Sequence, residues 1–135
     1  MKTVLVALFL FSTLVWAEDH SVQSRVEKSR LTEKQHFEVR FTSHLDPIVI
    51  NTIHAWTLHI QHRSGEPVTD ALVRIEGGMP EHDHGLPTRP RITHNLGNGE
   101  YLLEGMKFHM GGQWQVTLSI QQDKILDRVT FDLHL

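Results

Sequence analysis

Cysteine is missing from all 135 residues. No disulfide can brace the chain, so an exported domain built from it depends on its core alone. A lipid-modified cysteine anchor is excluded for the same reason, and any bound metal must be held by His, Met or carboxylate donors. A basic excess is missing too: 13 Lys and Arg stand against 16 Asp and Glu, a formal net charge of −3. Without a basic stripe, nucleic-acid binding is not expected, and nothing draws the chain to an anionic membrane surface. The patterns Gly-x-Ser-x-Gly and His-Glu-x-x-His are both absent, which removes the most direct sequence arguments for a serine or zinc hydrolase. An enzyme is not expected.

The apolar run at residues 3–16 follows Lys2 and is too short to span a bilayer comfortably. Val15-Trp16-Ala17 then offers small or compact residues at the positions that signal peptidase inspects, and Glu18-Asp19 follows at once. Residues 1–17 are therefore expected to be a cleaved secretory signal peptide, leaving a secreted, periplasmic protein with no membrane span after cleavage. Residues 18–34 mix Ser, Gln, Glu, Lys and Arg and suggest a polar leader, either mobile or a short amphipathic turn. Residues 35–135 carry the rest as one domain, with no internal repeat.

From Gln35 the pattern becomes strict alternation, with Phe37, Val39 and Phe41 on one side and His36, Glu38 and Arg40 on the other. A period of two is the signature of a half-buried strand. After Pro47, residues 48–61 suggest one long extended stretch, with His54, Trp56, Leu58 and Ile60 sharing a face. Ala71, Val73 and Ile75 alternate next, residues 91–94 and 101–106 flank the hairpin turn Leu96-Gly97-Asn98-Gly99, and Trp114, Val116, Leu118 and Ile120 alternate again. Val129, Phe131 and Leu133 share one face of a last strand. About seven short strands with no helical window predict an all-β fold, an immunoglobulin-like antiparallel β-sandwich.

The chemistry concentrates in Gly77-Gly78-Met79-Pro80-Glu81-His82-Asp83-His84-Gly85 and in Met106-Lys107-Phe108-His109-Met110. The first segment is so rich in Gly and Pro that it reads as a loop, where a His pair has little packing to do. Extended backbone would aim His82 and His84 to one side, and a bend in the loop would also bring them together. Imidazole nitrogen suits Cu(II), and thioether sulfur with imidazole suits Cu(I). His82 and His84 are thus candidate primary copper ligands, with Met79 and Met110 as soft donors favouring Cu(I). Asp83 and Glu81 would be flanking acceptors or rim ligands. His54, on an apolar face, is an auxiliary ligand or a core-rim histidine. Met106, Trp56 and Trp114 read as packing, and His109 as solvated or peripheral. His82, His84 and His54 also nominally satisfy a zinc site, the weakest of the three readings.

The order His54-Ala55-Trp56-Thr57-Leu58, then Gly77-Gly78-Met79-Pro80-x-His82-x-His84-Gly85-Leu86-Pro87-Thr88, Gly99-x-Tyr101 and Phe108-x-Met110-x-Gly112-x-Trp114 resembles the YtkA-like domain family, with which FixH-type accessory proteins are grouped. The resemblance runs from about Asp46 to Leu135 and implies a small exported β-sandwich, often found with copper handling or terminal-oxidase assembly. FixH-type members carry a membrane anchor, which this chain is expected to lack. The combined expectation is a periplasmic copper carrier, buffer or metallochaperone, exchanging metal with a copper-donating or copper-receiving envelope protein. The alternative is a metal-free accessory module that docks a partner protein, with the Pro residues of the His loop fixing its shape.

Overall fold

The computed structural model describes residues 27–135, and these form nine β-strands and no helix. The expected signal peptide, and the leader as far as residue 26, lie outside the described residues. One antiparallel sheet has the order β1 (Glu27–Leu31), β2 (Phe37–Ser43), β3 (His54–His62), β7 (Glu100–Met106), β6 (Arg91–Gly97). The other has the order β5 (His84–Gly85), β4 (Leu72–Met79), β8 (Gln113–Gln122), β9 (Ile125–His134). The subset β2-β3-β7-β6 facing β4-β8-β9 has the strand order and sheet division of an immunoglobulin sandwich. These are the seven strands that alternation predicts.

The two additions lie where alternation is silent. The leader is corrected at its end: Glu27–Leu31 is an edge strand in register with β2, Ser29 opposite Arg40 and Leu31 opposite Glu38. Ser29, Arg30 and Leu31 are exposed, so backbone pairing rather than a buried face defines this strand. The extended stretch expected over residues 48–61 is also shorter, since β3 begins only at His54. Residues 44–53 form a loop that carries exposed Val49, Ile50 and Ile53.

The inward faces meet in one core. Phe37, Val39, Phe41, Trp56, Leu58 and Ile60 come from the first sheet, and Trp114, Val116, Leu118, Ile120, Val129, Phe131 and Leu133 from the second. Trp56 stacks on Phe41 with ring centres 4.1 Å apart, and Phe41 meets Phe131 edge-on at 4.9 Å. Asp127 occupies the inward phase of β9 and joins the sheets at one end of the sandwich. Its carboxylate accepts from the Thr32 hydroxyl at 2.7 Å and from the backbone N–H groups of Lys34, His36 and Arg128 at 3.0, 3.2 and 2.8 Å.

Candidate metal centre at the loop end

The opposite end gathers three loops. Gln113 pairs with His134 and Gly78 with Gln115, while His54 lies opposite Met106. The β2–β3 loop, the β4–β5 turn and the β7–β8 loop therefore close the same end. The two segments singled out by their His and Met content, some twenty residues apart in sequence, meet here.

The first segment is mostly not a loop. Gly77, Gly78 and Met79 are the last residues of β4, and the chain reverses over 80–83 so that His84 pairs with Met79 and Gly85 with Gly78. The His82 N–H donates to the Met79 carbonyl at 3.1 Å, and Asp83 takes a left-handed φ of 50°, a conformation that Asp tolerates better than most residues. Gly78 makes the reversal possible: a Cβ there would sit 2.6 Å from the His84 carbonyl oxygen. His82 and His84 thus come together through the bend and not through extended backbone. Both are exposed, with ring centres 6.3 Å apart and planes inclined at 30°.

The second segment is not a strand beyond Met106. Phe108 turns inward as alternation suggests, and its carbonyl accepts from the Asn51 N–H at 2.7 Å. The Met110 carbonyl accepts from Trp114 Nε1 at 3.0 Å, and Gly112 exchanges backbone hydrogen bonds with Leu135 at 2.8 and 3.0 Å. This pinned loop carries His109 over the end of the second sheet. Its ring lies 5.6 Å from that of His84 and 5.4 Å from that of Trp114, near perpendicular to both. His109 is therefore not a solvated outlier, and its Nδ1 is buried without a partner among the described residues. Its sequence signal was only its place between Phe108 and Met110. Periodicity says which face a residue takes but not which loop of the other sheet meets it.

The remaining candidates separate. Met79 is 2 % exposed and belongs to the core, with its ε-methyl where a Cβ on Gly112 would meet it at 2.9 Å. Met110 is half-buried against the core, one residue from His109. His54 is 8 % exposed; its Nδ1 bonds the Thr52 carbonyl at 3.0 Å, and its ring neighbours are Trp56 and Phe108. Burial pushes its imidazole below the ordinary value, His44 adds to this and the Thr52 hydrogen bond opposes it. It behaves as a core-rim histidine. Trp56 and Trp114 are fully buried, as expected of core aromatics. Asp83 and Glu81 are exposed on the turn, and Asp83 joins His84 in lining a shallow groove of about 390 Å³ along β4.

Two imidazoles on one copper, at metal–nitrogen distances of about 2.0–2.1 Å, have ring centres roughly 5–6 Å apart. The His84–His109 spacing falls in that span and the His82–His84 spacing just above it. Among the described residues no group of three or more His, Cys, Asp or Glu already stands in a metal-holding arrangement, so binding here requires the exposed His82 turn to adjust.

A family model described as YtkA-like matches residues 32–119, which include the β4–β5 turn and the β7–β8 loop. No curated protein and no solved structure gives a match.

Proposed function

The chain belongs to the YtkA-like family, and from that premise we propose that it is an exported copper-binding protein, a carrier, buffer or metallochaperone of the periplasm. The observation that supports this best is the exposed His82 and His84 pair on a turn that Gly78 folds back over its own strand. Exposed imidazoles at one end of a rigid sandwich suit metal exchange, because a partner's ligands can approach the same ion. The YtkA-like family is not a known enzyme family, and a binding role asks nothing more of these residues. The burial of Met79 leaves Met110 as the thioether nearer the surface and weakens the case for a sulfur-rich Cu(I) site.

The test is copper uptake by the metal-free chain against a competing chelator, followed by a thermal melt. One equivalent is expected to bind, and a ligand at a hundredfold its Kd adds about 2.7 kcal/mol to stability. The double variant His82→Ala, His84→Ala is expected to abolish that uptake. Because both side chains are exposed, it should change the stability of the metal-free protein by no more than about 0.5 kcal/mol. Retained stoichiometric uptake sinks the assignment.

A second reading has its own support. Val49, Ile50 and Ile53 are exposed on the β2–β3 loop at this same end, with Ile53 at 66 %. An apolar rim of that kind suits a metal-free module that docks a partner protein. Under that reading a chelator changes neither melting temperature nor partner binding.

A further inference from the structure

We infer that His109 completes the loop-end centre as a third imidazole, and that the resulting all-nitrogen donor set selects Cu(II) over Cu(I). This rests on the copper reading above and goes beyond it in naming the third ligand and the oxidation state. His84 is the middle member, with its ring 5.6 Å from that of His109 and 6.3 Å from that of His82. None of these three rings makes a hydrogen bond among the described residues, a condition shared with His59 and His62 on β3, whereas His36, His44, His54, His94 and His134 are all bonded. A metal needs a deprotonated ring nitrogen, and here no protein contact must break to supply one. His109 goes further, since its Nδ1 is buried and has no partner among the described residues.

The three rings differ in freedom. His109 is fixed, because the carbonyls on both sides of it are held by Asn51 and Trp114 and its ring packs edge-on against Trp114. His84 lies in β5, tied to β4. His82 stands on the exposed turn and is the ring that swings in. Both thioethers are turned to the core: the Met79 side chain lies beside Gly112, and the half-buried Met110 packs against the core cluster. Imidazole without thiolate or thioether is a borderline set, and among divalent first-row ions Cu(II) binds such a set most tightly.

The experiment titrates the purified metal-free chain with Cu(II), and separately with Cu(I) under anaerobic conditions, each against a competing chelator. Electron spin echo envelope modulation counts the imidazoles on Cu(II), and tryptophan emission reports metal near Trp114. Three coordinated imidazoles are expected, with Cu(II) retained against chelator more tightly than Cu(I). His109→Asn is expected to lower the count to two and weaken Cu(II) at least roughly tenfold, the smallest loss that even outer-sphere partners of a metal produce. Added free imidazole should restore part of it. An unchanged count and affinity in His109→Asn overturns the inference and leaves the His82 and His84 site standing; a wild-type chain that takes up no copper overturns both. A wild-type preference for Cu(I) overturns the choice of oxidation state. Should His109→Asn fail to fold, a wild-type count of two imidazoles overturns the third ligand and a count of three supports it.

Discussion

At the end of the sandwich where β1 turns into β2, the buried Asp127 carboxylate is met by the Thr32 hydroxyl, three backbone N–H groups and His36 Nδ1 at 3.0 Å. At the other end His54 Nε2 and His109 Nδ1 are buried with no partner among the described residues, as is Trp56 Nε1 in the core. A satisfied buried network fixes register and rigidifies, while unpartnered buried polar atoms cost stability. The first end binds the two sheets together, since the Glu33 N–H donates to the Arg128 carbonyl at 2.7 Å; farther along β1 and β9, Arg30 pairs with Asp132 at 3.0 Å. The second end spends its backbone hydrogen bonds on holding loops in place and leaves the side-chain nitrogens open.

The sharpest way to break that contrast is Asp127→Ala. It removes the acceptor of three backbone N–H groups at once and leaves the buried Thr32 hydroxyl only the Phe37 carbonyl to donate to, so a loss of about 3 kcal/mol or more is expected in urea unfolding. Metal uptake by the folded fraction should be unchanged, because the network lies at the far end from His82, His84 and His109. Burial alone would raise the Asp127 carboxyl, but hydrogen bonds from Lys34, Thr32, Arg128 and His36 hold it well below the usual carboxylate range. Its contribution is therefore present above the unfolded carboxyl value of about 3.9 and is lost as pH falls below it. Asp127→Asn should flatten that part of the pH–stability curve. If it does not, the network is not what holds this end closed.

Gly78→Ala tests the other end with a smaller effect. The new methyl would start 2.6 Å from the His84 carbonyl oxygen, so β5 must lift away from β4. Overpacking of this kind costs typically about 1–3 kcal/mol, measurable by thermal melt. Its larger consequence is for the site: His84, the ring shared by both neighbours, leaves its place, and copper affinity should fall more than stability suggests. Equal copper affinity in Gly78→Ala would mean that the imidazoles need no fixed turn.

The seven sandwich strands were legible because Phe37, Val39 and Phe41, or Trp114, Val116 and Leu118, put one apolar face into the core. β1 and β5 were not, since an exposed edge strand and a two-residue strand carry no buried period. The closeness of the His pair was legible from its spacing, though its geometry depends on a reversal at Gly78 that composition alone reads as a loop. Composition places Met79 in that loop as well, whereas it closes β4 and packs inward. The approach of His109 to His84 was not legible, because the meeting of two loops from different strand pairs leaves no periodic trace. Asp127 did leave a signal: it shares the phase of Val129, Phe131 and Leu133, and a carboxylate in an inward phase needs its partners named.

His54 gives the smallest and most discriminating test. Burial keeps its imidazole neutral where the unfolded chain takes up a proton. Its share of stability is therefore intact above the ordinary value of about 6.5 and is lost as pH falls below it. His54→Leu should remove that slope. At neutral pH the change should stay within about 1 kcal/mol, because the orphaned Nε2 disappears along with the Nδ1 bond to the exposed Thr52. Copper uptake should be untouched, since the rings beside His54 are Trp56 and Phe108 and not His82 or His84. A loss well above 1 kcal/mol would show that Nε2 has a partner in solution, such as a buried water, and that the two ends are less different than their hydrogen bonds suggest. A loss of copper instead would return His54 to the metal as an auxiliary ligand, and would require the loop end to close further than the His82 turn alone can manage.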